Sequence, residues 1–297
     1  MSNARNHVTP RSFTRRKFLA LAATAGVAAI AIDSALLEPN RPRVVRRDVP
    51  LRRWPEPLDG FKIAVLSDFH YDHRFSVHPI HAAVKMVNEL NPDLIALAGD
   101  FVSIPIFDDD QRRAALAAEP CARLLHQMQA PHGSWAVMGN HDYYTNPAHV
   151  TAALQAEGIR VLANESVPIE TNSVRFWLAG VNDVTGGSAD LGKTLHGTPA
   201  DEVTVLLAHE PDFVDEASRF PVDLQLSGHS HGGQVRIPFI GPLYLPPLAR
   251  KYPWGMYRVG ALSLYTNPGL GTVGPPFRWN CPPEITLLTL RHAPASS

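Results

Sequence analysis

Apolar and polar positions fall in blocks along the chain. Short apolar runs recur, and several close in Asp, Asn or His. Phe61–Leu66 (FKIAVL) ends in Ser67-Asp68-Phe69-His70, and Leu94–Ala98 (LIALA) in Gly99-Asp100. Trp135–Met138 (WAVM) is followed by Gly139-Asn140-His141-Asp142-Tyr143, and Val203–Ala208 (VTVLLA) by His209-Glu210-Pro211. Asp223–Leu226 leads into LSGHSHGGQ, Leu226–Gln234. Brief unbroken apolar runs bounded by turn-forming residues read as buried strands. Between the first two, His78–Leu90 sets Ile80, Val84, Val87 and Leu90 at helical spacing. Strand, helix and strand in so short a span predict a βαβ unit with a parallel pair. Helices are also predicted over Asp108–Gln129, broken near Pro120, and over Pro147–Glu157, ended by Gly158. Val44–Leu51 reads as an edge strand, and Ile159–Leu162, Val174–Ala179 and Ile285–Leu290 as further strands. The tail Val235–Leu290 is rich in Pro, Gly and aromatics, with several short strands. The pattern is that of an α/β fold.

In α/β sheets, ligands bind beyond the carboxyl ends of the strands. Here those ends offer Asp68 and His70, Asp100, Asn140 and His141, His209, and His229 with His231. One such Asp or Asn is commonly a helix cap or turn former. So many polar groups at one topological place point instead to a shared site. Imidazole binds divalent transition metals well, and Gly228, Gly232 and Gly233 let the backbone around the HxH pair turn tightly.

The formal net charge of -1 carries no nucleic-acid footprint, and no nucleic-acid partner is expected. Two cysteines, Cys121 and Cys281, are too few for a disulfide framework; a single bridge would need an oxidising compartment.

Thr14-Arg15-Arg16-Lys17-Phe18-Leu19 has the twin-arginine pattern read by an export receptor. The uncharged run from Phe18 to Ile32 is short for a membrane span and suits a signal-peptide core. Residues 1–33 are therefore expected to be a twin-arginine signal peptide, or an anchor if uncleaved. The twin-arginine export machinery would be a partner, and the domain would lie in the periplasm or on the outer face of the membrane. Residues 34–57 are expected to form a linker and edge strand, whose arginines (Arg41, Arg43, Arg46, Arg47, Arg52, Arg53) read either as a solvated linker or as a contact for anionic head groups. Residues 58–297 are expected to form one domain that carries the strand ends above.

In chain order, DFH (Asp68–His70), GDFV (Gly99–Val102), GNHDYY (Gly139–Tyr144), AHEPD (Ala208–Asp212) and SGHSHGGQ (Ser227–Gln234) resemble the calcineurin-like metallophosphoesterases, over roughly Phe61 to Leu290. With the export signal and the tail segments, the chain looks like a bacterial exported subgroup, which includes phosphodiesterase-like enzymes and relatives of UDP-2,3-diacylglucosamine pyrophosphatase. The resemblance implies a four-layer fold: a β-sandwich flanked by helices, with a dinuclear metal site at the strand ends. It implies that Asp68, His70 and His231 bind one divalent ion, that Asn140, His209 and His229 bind the other, and that Asp100 bridges them. His141 would face the substrate, hydrogen-bonding phosphate oxygens or protonating the leaving oxygen, and Asp142 would hold the loop or orient His141. Mixed imidazole, carboxylate and amide ligands suit Mn, Fe or Zn.

Two cations can clamp a phosphoryl group and acidify the attacking water. The expected activity is hydrolysis of a phosphodiester or pyrophosphate, on a cell-envelope or lipid-linked phosphate ester. The alternatives are a phosphomonoesterase and a non-catalytic exported metal-binding protein. Phe239–Leu248, apolar and proline-stiffened, reads either as a wall for a lipid tail or membrane surface or as a loop packed on the sheet. Arg278 is a further candidate for phosphate contact, since a guanidinium can fork onto two oxygens.

Overall fold

The computed structural model describes residues 14–104, 114–171 and 174–293. The opening residues of the expected signal peptide, and 108–113 of the expected helix Asp108–Gln129, lie outside the described residues.

Helix α1 (Arg15–Ile32), capped by the Thr14 side chain, buries none of its residues. It runs on through helical turns at Asp33–Leu37 and Glu38–Asn40 into strand β1 (Arg43–Leu51). Then come β2 (Lys62–Leu66), α2 (Val77–Leu90), β3 (Leu94–Leu97), α3 (Ala118–Leu125), β4 (Ser134–Ala136), α4 (Asn140–Thr145), α5 (Pro147–Ala156) and β5 (Arg160–Val161). The second half holds β6 (Glu165–Thr171), β7 (Val174–Gly180), α6 (Leu191–Thr194), β8 (Thr204–Leu207), α7 (Val214–Ala217) and β9 (Leu224–Ser227). The tail adds β10 (Arg236–Ile237), β11 (Gly241–Pro242), β12 (Gly255–Val259), β13 (Leu262–Thr266) and β14 (Glu284–His292).

Two six-stranded sheets have the orders β1-β14-β2-β3-β4-β5 and β12-β13-β9-β8-β7-β6. Strands β2 to β5 run parallel, as do β7, β8, β9 and β13, while β14, β6 and β12 pair antiparallel with β2, β7 and β13. Alternation of side chains along each strand decides the layering. Ile63 and Val65 of β2 meet Val205 and Leu207 of β8 in the core between the sheets. Ala64 and Leu66 face the other way, onto Ile80, Val84 and Val87 of α2 and Cys121 and Leu125 of α3. On the outer side of the second sheet, Leu206 and Leu264 pack against Phe213, Val214 and Ala217. The result is helix, sheet, sheet, helix. Strands buried on both faces explain the unbroken apolar runs.

The break expected near Pro120 is present: the helical stretch is interrupted at Leu116–Ala117 and resumes as α3, with Pro120 in its first turn, where its missing N–H removes no intrahelical bond. Two features were not expected. Asn140–Thr145, for which no helix was expected, is a short helix. Glu165–Thr171 is a strand that the sequence reading lacks: Pro168 weakens the signal, yet Pro is tolerated because β6 is an edge strand.

Candidate metal centre

Parallel topology carries the ends of β2, β3, β4, β8 and β9 to one rim. The backbone there departs from regular geometry. Asp68, His70, Asp100, His229 and His231 all have positive φ, between 41° and 65°. This region is unfavourable for residues with a Cβ, roughly 1–3 kcal/mol each, and such outliers cluster at functional sites. Gly139 and Gly228 have no room for more: a Cβ on Gly139 would run into Asp100 and His209, and one on Gly228 would lie 2.5 Å from Asp68 Oδ2.

The side chains converge. His70 Nε2 lies 3.0 Å from His231 Nε2 and 3.4 Å from Asp100 Oδ2. Asp68 Oδ1 is 3.4 Å from His231 Nε2, and Asp100 Oδ2 is 3.2 Å from His209 Nε2. The rings of His209 and His229 pack edge to face at 5.0 Å. Among the described residues, Asp68 with His70 and His231, His70 with Asp100 and His141, and Asp100 with His209 and His229 form groups able to hold a metal ion. Asp100 is common to two of them. Asn140 Oδ1 and His209 Nε2 are buried with no hydrogen-bond partner. Buried polar atoms are rarely left unsatisfied, so Asn140 Oδ1 fits a cation that takes its lone pair, and His209 Nε2, 3.2 Å from Asp100 Oδ2, could offer one once a cation displaces its proton.

Neighbouring bonds aim the lone pairs. His209 Nδ1 bonds the Ala98 carbonyl at 2.6 Å, turning Nε2 towards Asp100. His70 Nδ1 meets Ser103 Oγ at 3.0 Å and His229 Nε2 the Pro247 carbonyl at 2.8 Å. Such partners fix tautomer and ring orientation in metal-binding histidines.

Protonation follows from burial and charge. Burial, with nearby His141, holds His70 well below the usual histidine range; burial, with His70, does the same to His231. His229 is pushed down to about 4 by burial and by His209. Burial opposes charging of His209 too, but the Asp100 carboxylate outweighs it and raises this imidazole well above its ordinary value. Burial alone would raise Asp100; the surrounding His209, His141 and His70 hold it well below the carboxylate range. Asp68 is pushed up to about 7, chiefly by burial and then by Asp100.

His141 lies at the second position of α4 and lines the opening above the site. Its Nδ1 accepts the Ile104 N–H at 2.9 Å, so the ring proton sits on Nε2. Asp142 is fully buried and accepts four backbone N–H groups, from Asp100, Phe101, Val102 and Gly139, at 2.9–3.1 Å. It ties α4 to the loop carrying Asp100. Burial and the Asp100 charge push Asp142 up to about 7.

Arg278 is corrected. It is fully buried, and its guanidinium donates to the carbonyls of Gly271, Cys281 and Pro268. A side chain committed to interior carbonyls does not reach a substrate. Cys121 and Cys281 are free, each buried, so no bridge joins them.

Some contributors escaped the sequence reading. Ser67 Oγ donates to Asp68 Oδ2 at 2.5 Å and meets Asn267 Oδ1 at 3.0 Å. Asn267 in turn donates to Thr286 and accepts the Gly269 N–H. The signal was available: Asn267-Pro268-Gly269 directly follows β13, another strand end. For Ser103 there was none.

Above the site opens a cavity of about 510 Å³, within the range of small-molecule sites. Asp100, Asn140, His141 and His229 form its floor, with Tyr144, Val235, Leu243, Tyr244, Pro246 and Pro247 among its walls.

Comparison with known proteins agrees with this geometry. Residues 61–233 match the calcineurin-like phosphoesterase family. A Bacillus subtilis protein named uncharacterized metallophosphoesterase YkuE is 35% identical over 285 residues, 95% of this chain and 97% of its own length. Phosphodiesterase YaeI of Escherichia coli is 34% identical over 233 residues, 77% of this chain and 82% of its own. A Danio rerio transmembrane protein with metallophosphoesterase domain is 34% identical over 308 residues, 98% of this chain and 66% of its own. The clustered imidazoles and carboxylates, the layered sheets and these matches agree: the chain belongs to the calcineurin-like phosphoesterase family, enzymes that hydrolyse phosphoesters with the help of bound divalent metal.

Proposed function

We propose that the protein hydrolyses phosphodiester or pyrophosphate bonds with two divalent ions, Mn, Fe or Zn, on a cell-envelope substrate. The observation that carries this reading is the convergence of partnerless Asn140 Oδ1 and His209 Nε2 with the Asp68, His70, Asp100, His229 and His231 groups. Asp68, His70 and His231 would hold one ion and Asn140, His209 and His229 the other, with Asp100 available to both. Such ions neutralise phosphoryl oxygens and make water a better nucleophile. With only two carboxylates among the ligands, the filled site keeps an excess of about +2 by formal counting, suited to an anionic ester.

His141 contributes a hydrogen bond. Its Nδ1 already accepts the Ile104 amide, so the ring has one proton, on Nε2, and losing it would leave an anion. It therefore steadies a phosphoryl or leaving oxygen, and the leaving oxygen's proton comes from water. Asp142 keeps His141 and Asp100 in register.

The cavity of about 510 Å³ and its apolar walls offer contacts that a bare phosphate would not use, which supports an ester with a sizeable organic group. The Thr14–Leu19 segment and the apolar α1 support export by the twin-arginine machinery, with the domain on the outer side of the membrane. A UDP-linked lipid belongs to the cytosolic face, so this reading adopts a bond type and not that compound.

The test compares bis-p-nitrophenyl phosphate and p-nitrophenyl phosphate as substrates of the full chain with added Mn. Faster diester cleavage is expected. A preference for the monoester replaces the diesterase reading. Cleavage of neither, by protein shown to carry metal, leaves a binding protein.

A further inference from the structure

β10 and β11 form a small antiparallel hairpin whose tip is Phe239 and Ile240. Phe239 is completely exposed and Ile240 77% exposed; Leu243 and Tyr244, just beyond β11, are also mostly exposed. Four large apolar side chains on one projection form the kind of patch that marks an interaction site. From Val235 to Lys251 the chain has no carboxylate, and it carries Arg236, Arg250 and Lys251. The hairpin continues directly into the site. Leu243, Tyr244, Pro246 and Pro247 wall the cavity, and the Pro247 carbonyl holds His229.

The base of α1 is fastened to the same rim. The Ser34 carbonyl accepts the Arg278 N–H at 2.9 Å, and the Glu38 carboxylate accepts the backbone N–H groups of Asn280, at 2.9 Å, and Cys281. Trp279, between them, bonds the hairpin's own arm: its N–H donates to Gln234 at 3.0 Å and its carbonyl accepts from Arg236 at 2.9 Å. Strand order agrees. β1 starts at Arg43 opposite Glu284, the first residue of β14, and β14 runs antiparallel to β2, whose far end carries Asp68. So α1, hairpin tip and cavity mouth share one end of the molecule. α1 has no buried residue, and the continuous helical segment Arg15–Asn40 that it opens is long and apolar enough to cross a membrane, with mean hydropathy 1.9, although the apolar run within it is short.

We propose that the Phe239–Ile240 tip dips into the bilayer to which α1 holds the chain, and that the site acts on a phosphodiester lipid presented from that surface. This rests on the diesterase reading above and adds its partner and substrate class. The head-group phosphate reaches the end of the cavity where Asp100 and His229 would hold the ions, while the apolar part lies along Leu243 and Tyr244. Water bonds to phosphorus, the ester P–O bond breaks, and the departing alcohol takes a proton.

The test uses the full chain in vesicles of phosphatidylcholine with a minority of phosphatidylglycerol. Ile240→Cys is labelled with an environment-sensitive nitrobenzoxadiazole dye; Cys121 and Cys281 are buried and stay unlabelled. Glu170→Cys serves as a control. It is exposed and pairs with Arg175 at the start of β7, away from the Gly180 end near the site. Blue-shifted emission, quenched by spin-labelled acyl chains at position 240 but not at 170, is expected; water-like emission at 240 overturns the lip. The double variant Phe239→Asp, Ile240→Asp should lose about tenfold or more on bilayer phosphodiester lipid and keep its rate on bis-p-nitrophenyl phosphate. An unchanged rate on the lipid also overturns it. Failure of the native chain on bis-p-nitrophenyl phosphate instead removes the diesterase reading, and the dye still decides whether the tip meets lipid.

Discussion

The Nε2 atoms of His70 and His231, from opposite sheets, face each other at 3.0 Å. Both rings are held unprotonated by burial and by each other's neighbourhood. Two neutral imidazoles brought this close, beside Asp68 and Asp100, form a pair whose lone pairs a cation could share. Chelation of divalent ions should therefore lower the melting temperature, and Mn should restore it. At a free concentration a hundredfold above Kd, the gain is about 2.7 kcal/mol per site. Asp100→Asn should lose more than the roughly 10–100-fold in metal affinity typical of partner substitutions, and most activity with it. Elemental analysis beside kinetics checks this; an Asp100→Asn protein with full metal content removes the bridging assignment.

His141 separates binding from rate. His141→Ala should keep its metal and lose about 10²–10⁴ in kcat. Because the ring acts as a single N–H donor, His141→Gln should recover part of the loss. Equal rates for Ala and Gln variants would point to proton transfer instead.

Metal uptake should depend on pH. In the metal-free protein, Asp68 stays protonated up to about pH 7, and His209 holds its proton above the usual histidine range. An incoming ion must displace both protons, so affinity rises with pH through 7. The stability signs also separate. Asp68 is raised in the folded state, so its contribution is present below its unfolded pKa and is lost as pH rises from 3.8 to about 7. His229 is lowered, so its contribution is lost as pH falls from 6.5 to about 4. Thermal melts with and without Mn across this window should show a gain that grows towards alkaline pH. A constant gain would contradict the displacement of protons.

Arg278→Met should destabilise the fold by at least about 2 kcal/mol, since it leaves carbonyls of Gly271, Pro268 and Cys281 without their charged donor. KM of the folded fraction should not change. A rise in KM at unchanged melting temperature would return Arg278 to the substrate.

Much of the site was legible because the chemistry is local to strand ends. Asp68, Asp100 and His209 each follow an unbroken apolar run, and parallel strands bring such ends together whatever the details between. The rest depends on distant partners. Asn267 supports Ser67 across 200 positions, and Glu38 meets Cys281 across 243. No window of sequence holds both ends of such a bond. Arg278 misled because a guanidinium's five donors serve backbone carbonyls as readily as phosphate. The left-handed backbone at His229 and His231 was equally hidden, since tertiary contacts impose it against local preference.

The two sheets of the core supply different candidate ligands. Asp68, His70, Asp100 and Asn140 follow strands of the first sheet; His209, His229 and His231 follow strands of the second. On the proposed assignment each ion draws ligands from both sheets, His231 joining Asp68 and His70, and Asn140 joining His209 and His229. A chain that holds both ions in full coordination would therefore have docked one layer onto the other.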